Sequence, residues 1–344
     1  MKVAVDIMGG DQAPSPNVQG IKLALKDFPQ IKKLLLVGDT AVVQAELSRQ
    51  KISKNNPRLE LVHASQVVCM DEASSVALRA KKDSSIAVAA RLLNEKRADA
   101  IVSAGHTGAT VACTVVRNRT LKGIQRPGIA ILTPAPEGPF LLLDAGATVD
   151  CKPINLAQYA ILGEAYSRHI LHVPEPKVGI LSVGGEDGKG NELTRESFKL
   201  LQRMPVNFIG NVEGHDLFSN QVDVVVCDGF VGNVVLKSAE SLAKALSIIL
   251  KRNLRKSPMR MAGALLSKNA FRELRELTDH EEYGGAPLLG INGTCIIAHG
   301  SSSPKAVRNA IRVATEMVQE NLNKHVSDKI ADIQWEEILA DAAR

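Results

Sequence analysis

The strongest constraint on the fold of this chain is an alternation, sustained from end to end, of short β-rich apolar runs with longer segments of helical periodicity. Ten runs read as strands, at 3–5, 34–37, 59–62, 100–102, 129–132, 141–143, 178–181, 206–209, 222–226 and 294–297. Helical patterns fall at 17–27, 40–50, 84–96, 107–116, 155–171, 192–203, 231–256 and 304–323. Runs as continuous as Leu34-Leu35-Leu36-Val37 suit strands buried on both faces, and the βα alternation predicts a largely parallel sheet covered by helices on both sides. The runs 129–133 and 139–143, joined by Pro134-Ala135-Pro136-Glu137-Gly138, predict a hairpin and hence a mixed sheet. The expected fold is therefore α/β, a three-layer α/β/α sandwich with a mixed, mostly parallel sheet. No low-complexity linker or fixed-period repeat divides the 344 residues, so 1–344 reads as one domain, with a helical element at about 231–278.

Polar and glycine-rich residues gather where the runs end. Asp6-Ile7-Met8-Gly9-Gly10-Asp11, Ser103-Ala104-Gly105-His106-Thr107-Gly108, Asp144-Ala145-Gly146 and Asp228-Gly229-Phe230-Val231-Gly232-Asn233 all have this character. Open α/β sheets bind ligands outside the carboxyl ends of their strands, so loops of this kind are expected to line one long polar cleft. The richest is Gly184-Gly185-Glu186-Asp187-Gly188-Lys189-Gly190-Asn191, which sets one lysine among glycines between an apolar run and a helix. Such a loop suits a compact oxyanion such as phosphate. It also reads as a glycine-rich surface turn, and its spacing departs from G-x-x-x-x-G-K-[ST]. Lys189 and Asn233 are the candidate catalytic pair, Asn233 donating to a developing oxyanion or else capping the helix that follows. Asp6, Gly9, Gly10, Asp11, Ser103, Gly105, His106, Thr107, Gly108, Asp144, Gly188, Asn191, Asp228 and Gly232 are the candidate phosphate-site residues around them.

Several chemistries find no footing. No G-x-S-x-G elbow is present, and Cys69, Cys113, Cys151, Cys227 and Cys295 stand without C-x-x-C pairing, which argues against a zinc site or a disulfide framework. Asp6, Asp11, Asp144 and Asp228 could gather around magnesium, but acids at strand ends more often bond loop amides, and no metal or other cofactor is expected. His106, His215 and His299 lack H-x-x-x-H spacing. A 3% aromatic content speaks against base stacking, and no nucleic-acid partner is expected. No run approaches a membrane span, and no signal peptide is visible.

Charge is unevenly spread. The whole chain carries +5, yet the window 251–276 alone carries +6, from Lys251, Arg252, Arg255, Lys256, Arg260, Lys268, Arg272 and Arg275 against Glu273 and Glu276. Val235, Leu242, Leu246 and Ile249 form a stripe expected to be buried. Pro258 starts a second helix whose Met259, Met261, Ala262, Leu265 and Leu266, framed by bases, suit either an anionic membrane surface or packing in a core or dimer.

In combination these loops resemble the bacterial phosphate acyltransferase family of phospholipid synthesis. The resemblance rests on the 5–11, 103–105 and 228–233 segments together with Arg117-Asn118-Arg119, Arg126-Pro127 and Gly188-Lys189-Gly190-Asn191. Asn211-Val212-Glu213-Gly214, Leu289-Gly290-Ile291-Asn292-Gly293 and His299-Gly300-Ser301-Ser302 extend it over nearly the whole chain. It implies a fold like those of isocitrate dehydrogenase and phosphotransacetylase. The implied activity is transfer of a fatty acyl group from acyl-acyl-carrier-protein to inorganic phosphate, with a membrane glycerol-3-phosphate acyltransferase using the product. It further implies a homodimer that is cytoplasmic and peripherally attached to the membrane. Arg117, Arg119, Lys122 and Arg126, close after the 103–108 loop, become candidate docking residues for the acidic carrier protein. His106 stands where the family pattern has asparagine, and Ala145 and Thr148 where it has leucine and asparagine. A scaffold that binds the carrier without catalysis is the other reading. A nucleotide-binding dehydrogenase relative would need a G-x-G-x-x-G after a strand, which is missing.

Overall fold

The computed structural model describes residues 1–278 and 281–342, without the side chains of 76–77, 275–278 and 340–342. Eleven strands, β1 (Lys2–Asp6), β2 (Lys33–Gly38), β3 (Leu59–His63), β4 (Ala100–Ser103), β5 (Gly128–Thr133), β6 (Phe140–Leu143), β7 (Lys177–Leu181), β8 (Asn207–Val212), β9 (Val224–Val226), β10 (Ala286–Leu289) and β11 (Thr294–Ile297), form one sheet. Their order is β3-β2-β1-β4-β11-β10-β5-β6-β9-β7-β8.

The helices are α1 (Ser15–Asp27), α2 (Thr40–Arg49), α3 (Ser75–Arg79), α4 (Ser85–Asn94), α5 (Thr107–Asn118), α6 (Pro153–His169), α7 (Glu192–Leu201), α8 (Gly229–Leu254), α9 (Pro258–Leu266), α10 (Lys268–Thr278), α11 (Pro304–Gln319), α12 (Leu322–Ala331) and α13 (Trp335–Ala342). Strand periodicity sorts the side chains into two layers. Val3, Val5, Leu34, Leu36, Val178 and Ile180 join one continuous core with α1, α6, α7, α11 and α12. Their neighbours Ala4, Leu35 and Ile101 face α4 on the opposite side, where Phe140, Leu142 and Val225 build a third cluster. The three-layer mixed sandwich is therefore as expected, and the 129–133/139–143 pair is the antiparallel hairpin β5–β6.

That hairpin overturns one expectation. β1, β2, β3, β4 and β11 run parallel, β10 opposes them, and β5 opposes β10. β6 reverses sense again, and β9, β7 and β8 follow β6. The 6–11 and 103–108 loops thus leave one edge of the sheet, while the loops after β6, β7 and β9 leave the other. They do not line a single edge.

The helical element differs as well. In α8 only Gly229 and Gly232 are buried, and Leu242, Leu246 and Ile249 are 61%, 57% and 46% exposed, so the stripe expected in the core faces outward. Only the first turns of α8 touch the body, through Val231, Val235 and Leu236. The helix begins two residues earlier than its apolar pattern indicates, because Asp228 caps it. The run that starts at Pro258 breaks at Ser267 into α9 and α10, and 304–323 divides at Asn321, whose φ of 51° is left-handed. β10, α3, α12 and α13 were not legible from periodicity.

Candidate active site

At the first edge, Asp6 is buried and its carboxylate is fully engaged. Oδ1 accepts the N–H groups of Met8 (3.1 Å) and Gly9 (3.0 Å), and Oδ2 accepts the Ser103 hydroxyl (2.8 Å). Burial pushes this carboxyl up, and those donors pull it back. Gly9 is required by close approach, since a Cβ there would lie 2.7 Å from the Gly105 amide nitrogen. Gly10, at φ +115°, stands over the carbonyl of Gly300, and Asp11 N–H donates to that same carbonyl at 2.8 Å. His106 caps α5, its Nδ1 accepting Ala109 N–H at 3.2 Å. A histidine ring nitrogen thereby does what an asparagine oxygen does at an N-cap, which accounts physically for the departure at 106. Thr107 is exposed, and Gly108 admits the Ser74 hydroxyl from the segment before α3.

At the second edge, Asp144 organises the loop after β6. Its Oδ1 accepts amides of Ile129 (2.8 Å), Ala147 (2.9 Å) and Gly146 (3.0 Å), and Oδ2 accepts Thr148 N–H (2.7 Å). Burial raises this carboxyl too, against four amide donors. Thr148 hydroxyl donates to the Pro127 carbonyl at 3.2 Å, and Gly229 N–H donates to the Thr148 carbonyl at 2.9 Å. The loop after β6 is thus tied to both β5 and α8. Asp228 caps α8 by accepting the N–H groups of Phe230 (3.0 Å) and Val231 (2.9 Å). Capping is therefore not the task of Asn233, which lies one turn in, exposed and beside Gly146. Gly232 sits so close to the Asp144 carbonyl that a side chain has no room.

Lys189 rides on the loop after β7, the strand next to β9. Its stem packs over Gly184, where a Cβ would come within 2.9 Å of Lys189 Cγ. Among the described residues its ammonium has neither an ion pair nor a hydrogen bond. Asn191 caps α7 by accepting Thr194 N–H at 2.9 Å, and a Cβ on Gly188 would meet nothing within 4 Å. Sequence reasoning assigned no role to the supports of this loop. Asn211 Nδ2 donates to Glu186 carbonyl at 2.6 Å, Glu213 accepts Gly185 N–H at 3.1 Å, and Arg195 donates to Gly190 carbonyl at 2.7 Å. Asn211 and Glu213 belong to one of the motifs that carried the resemblance, which was the available signal.

α5 carries the basic cluster away from the 103–108 loop. Twelve residues at about 1.5 Å each span about 18 Å, which places Arg117 and Arg119 at the second edge with Lys122 and Arg126. Arg119, Lys122 and Arg126 are exposed, while Arg117 is half-buried with its Nε unpartnered. The sheet's right-handed twist of roughly 20–25° per strand turns the direction of β9 well away from strict opposition to β4. Burial raises the thiols of Cys113 and Cys151 to about 11 and that of Cys295 to about 12, so none is a ready thiolate nucleophile at neutral pH. No group of three or more potential metal ligands gathers among the described residues.

Comparison with known proteins joins these loops to one family. A family model described as "Fatty acid synthesis protein" matches residues 1–325. The "Phosphate acyltransferase" of Geotalea daltonii is 48% identical over 332 residues, covering 96% of this chain and 95% of its own. The chain belongs to the phosphate acyltransferase family. Another member, from Geobacter sp. (strain M21), is 49% identical over 330 residues, 96% of this chain and 93% of its own. Family membership makes the protein an acyltransferase. Among solved structures, a phosphotransacetylase from Streptococcus pyogenes aligns with a TM-score of 0.64 over 93% of this chain and 94% of its own. At 16% identity that likeness establishes the fold, the phosphotransacetylase type expected above.

Proposed function

We propose that the protein transfers a fatty acyl group from acyl-acyl-carrier-protein to inorganic phosphate, and that Lys189 and Asn233 carry the reaction. The observation behind this reading is that, among the described residues, neither side chain makes a hydrogen bond or an ion pair, Lys189 standing on the loop after β7 and Asn233 in the first turns of α8 after the neighbouring β9. Asp144, Asp228 and Asn191 are occupied in holding backbone. Lys189 neutralises and orients the phosphate. A phosphate oxygen attacks the thioester carbonyl carbon, and Asn233 donates to the oxyanion of the tetrahedral intermediate. Collapse breaks the C–S bond, and the leaving thiolate takes up the proton of the hydrogen phosphate. The protein's share is positioning and charge stabilisation, which require no metal or cofactor in this scheme.

Arg119, Lys122 and Arg126 dock the acidic carrier at the second edge, with Arg117 behind them. The exposed stripe of α8 meets a second copy in a homodimer. Met259, Met261, Ala262, Leu265 and Leu266, of which Met259 and Leu266 are 85% and 89% exposed, rest on the anionic inner face of the cell membrane from the cytoplasm. The other phosphate-site candidates, Asp6 to Asp11 and Ser103 to Gly108, lie at the first edge of the sheet and take no part in this scheme. No helix of the described residues is long and apolar enough to cross a membrane. The acyl phosphate, with its long tail, would pass to a membrane glycerol-3-phosphate acyltransferase on the route to phosphatidic acid.

The decisive experiment measures release of free carrier and acyl phosphate from acyl-carrier and phosphate. Lys189→Ala should lower turnover about 100-fold or more, the scale of losing one oxyanion-stabilising group. Carrier binding without phosphate-dependent release would instead establish the scaffold reading.

A further inference from the structure

Phe208 and Val212 stand four residues apart in β8, so an unbroken strand would turn both to the same side of the sheet. They lie on opposite sides. Phe208 packs edge-on against Phe198 of α7, with ring centroids 5.2 Å apart, whereas Val212 joins Leu142 and Val225 in the opposite layer. The pairing with β7 shows why: Val178 pairs with Phe208 and Gly179 with Gly210, which leaves Ile209 as an extra residue. Gly210 takes up the bulge at a φ of +99°, a conformation that glycine adopts without strain. Such bulges are rare between parallel strands, and they reverse the facing of the residues beyond them.

Asn211 is the first polar side chain beyond the bulge. An unbroken β8 would point it into the layer of Val225, but the bulge turns it to the layer of α7, into which the loop after β7 runs. There its Nδ2 donates to the Glu186 carbonyl at 2.6 Å, and Lys189 N–H donates to that same carbonyl at 3.0 Å. The second bond closes a turn across Asp187-Gly188, so the asparagine and the lysine's own backbone share one oxygen. Glu213, two residues on, accepts Gly185 N–H at 3.1 Å. Asn211 Oδ1 is buried and accepts nothing among the described residues, which is unfavourable for stability, so the amide serves there through its donor.

We propose that Asn211 is a positioning residue for the transfer reaction: aimed by the β8 bulge, its amide fixes the turn that presents Lys189 to phosphate. The inference rests on the reading that Lys189 holds phosphate. The lysine side chain has no ion pair or hydrogen bond among the described residues, so its reach is set by its backbone. With Gly184, Gly185, Gly188 and Gly190 in it, the loop has little stiffness of its own. The Glu186 carbonyl, bonded only to Lys189 N–H, would swing with the lysine; bonded also to β8, it is tied to the sheet.

The test measures acyl phosphate formation by the full-length protein at varied phosphate and varied acyl-carrier, for the wild type, Asn211→Ala, Lys189→Ala and the double variant. Hydrogen exchange over 184–191 is followed beside it by mass spectrometry. Asn211→Ala should lower kcat/KM for phosphate about tenfold to 100-fold, the range for a reactive group displaced by about 1 Å, and leave KM for the acyl-carrier unchanged. In the Lys189→Ala background the same change should cost less than about twofold, because the side chain it positions is already gone. Exchange over 184–191 should quicken in Asn211→Ala while β7 stays protected. Equal losses in the two backgrounds, or an unchanged kcat/KM for phosphate in Asn211→Ala, overturn the assignment. Asn211→Ser, whose shorter side chain falls short of the Glu186 carbonyl, serves for the same comparison if Asn211→Ala does not fold. Full turnover in Lys189→Ala strikes at the reading of the lysine itself. Exchange then decides alone whether Asn211 sets the turn, and protection equal to the wild type's overturns that too.

Discussion

Asn233 lies against Gly146: a Cβ built on that glycine would stand 3.7 Å from Asn233 Cβ and 3.8 Å from its Cγ. The contact brings the first turns of α8 over the loop that Asp144 organises, and it leaves the amide outside the capping network of Asp228. Asn233→Asp should therefore keep the stability of the protein, because an acid near a helix N-terminus is favourable. Turnover should fall by about 100-fold or more, since a donor becomes an anion where negative charge develops. Parallel unfolding curves and steady-state rates check this. A loss of both together would make the residue structural.

Gly232 offers a matched test of packing. A Cβ there meets the Asp144 carbonyl oxygen and comes within 2.9 Å of Cys227 Sγ, and backbone cannot swing aside. Gly232→Ala should cost about 1–3 kcal/mol or more by overpacking. Gly263, in α9, has nothing within 4 Å of its Cβ position, so Gly263→Ala should instead add about 0.5–1 kcal/mol of helix propensity. Denaturant midpoints of the two variants should move in opposite directions.

Arg119 is exposed at the end of α5, at the edge shared with Asn233 and Lys189. Arg119→Glu should raise the apparent KM for the acyl-carrier severalfold and flatten its dependence on salt, with KM for phosphate unchanged. Carrier kinetics indistinguishable from wild type would remove Arg119 from docking.

Leu266, 89% exposed at the end of α9, is the sharpest probe of membrane attachment. The protein should sediment with anionic vesicles, less so as salt rises, and Leu266→Glu should release it while turnover in solution persists. Equal sedimentation with neutral vesicles would count against the attachment. Of the basic window, the side chains of Arg275 and Glu276 lie outside the described residues, and the test does not lean on them.

Legibility along the chain followed locality. Strands such as 34–37 and 178–181 were readable because continuous apolar runs announce burial on both faces, whereas β10, Ala286–Leu289, was not, since Pro287 and a glycine-rich setting hide it. The loop motifs were legible as residues but not as functions. Asn233 read as either an oxyanion donor or a helix cap until hydrogen bonds assigned the cap to Asp228.

By itself the sequence determined the layered α/β class, the family, the positions of the polar loops and the uneven charge, because each rests on neighbours within a few residues. Tertiary structure alone decided which loops share an edge. The β5–β6 hairpin reverses strand sense, so Asp6 and Asp144, alike in sequence, leave opposite edges. α5 carries Arg119 to the edge of Lys189, and α8 leaves the body after its first turns, so Leu242 and Leu246 face outward despite a stripe that reads as core. Periodicity states which face of a helix is apolar; what covers that face depends on where the rest of the chain ends.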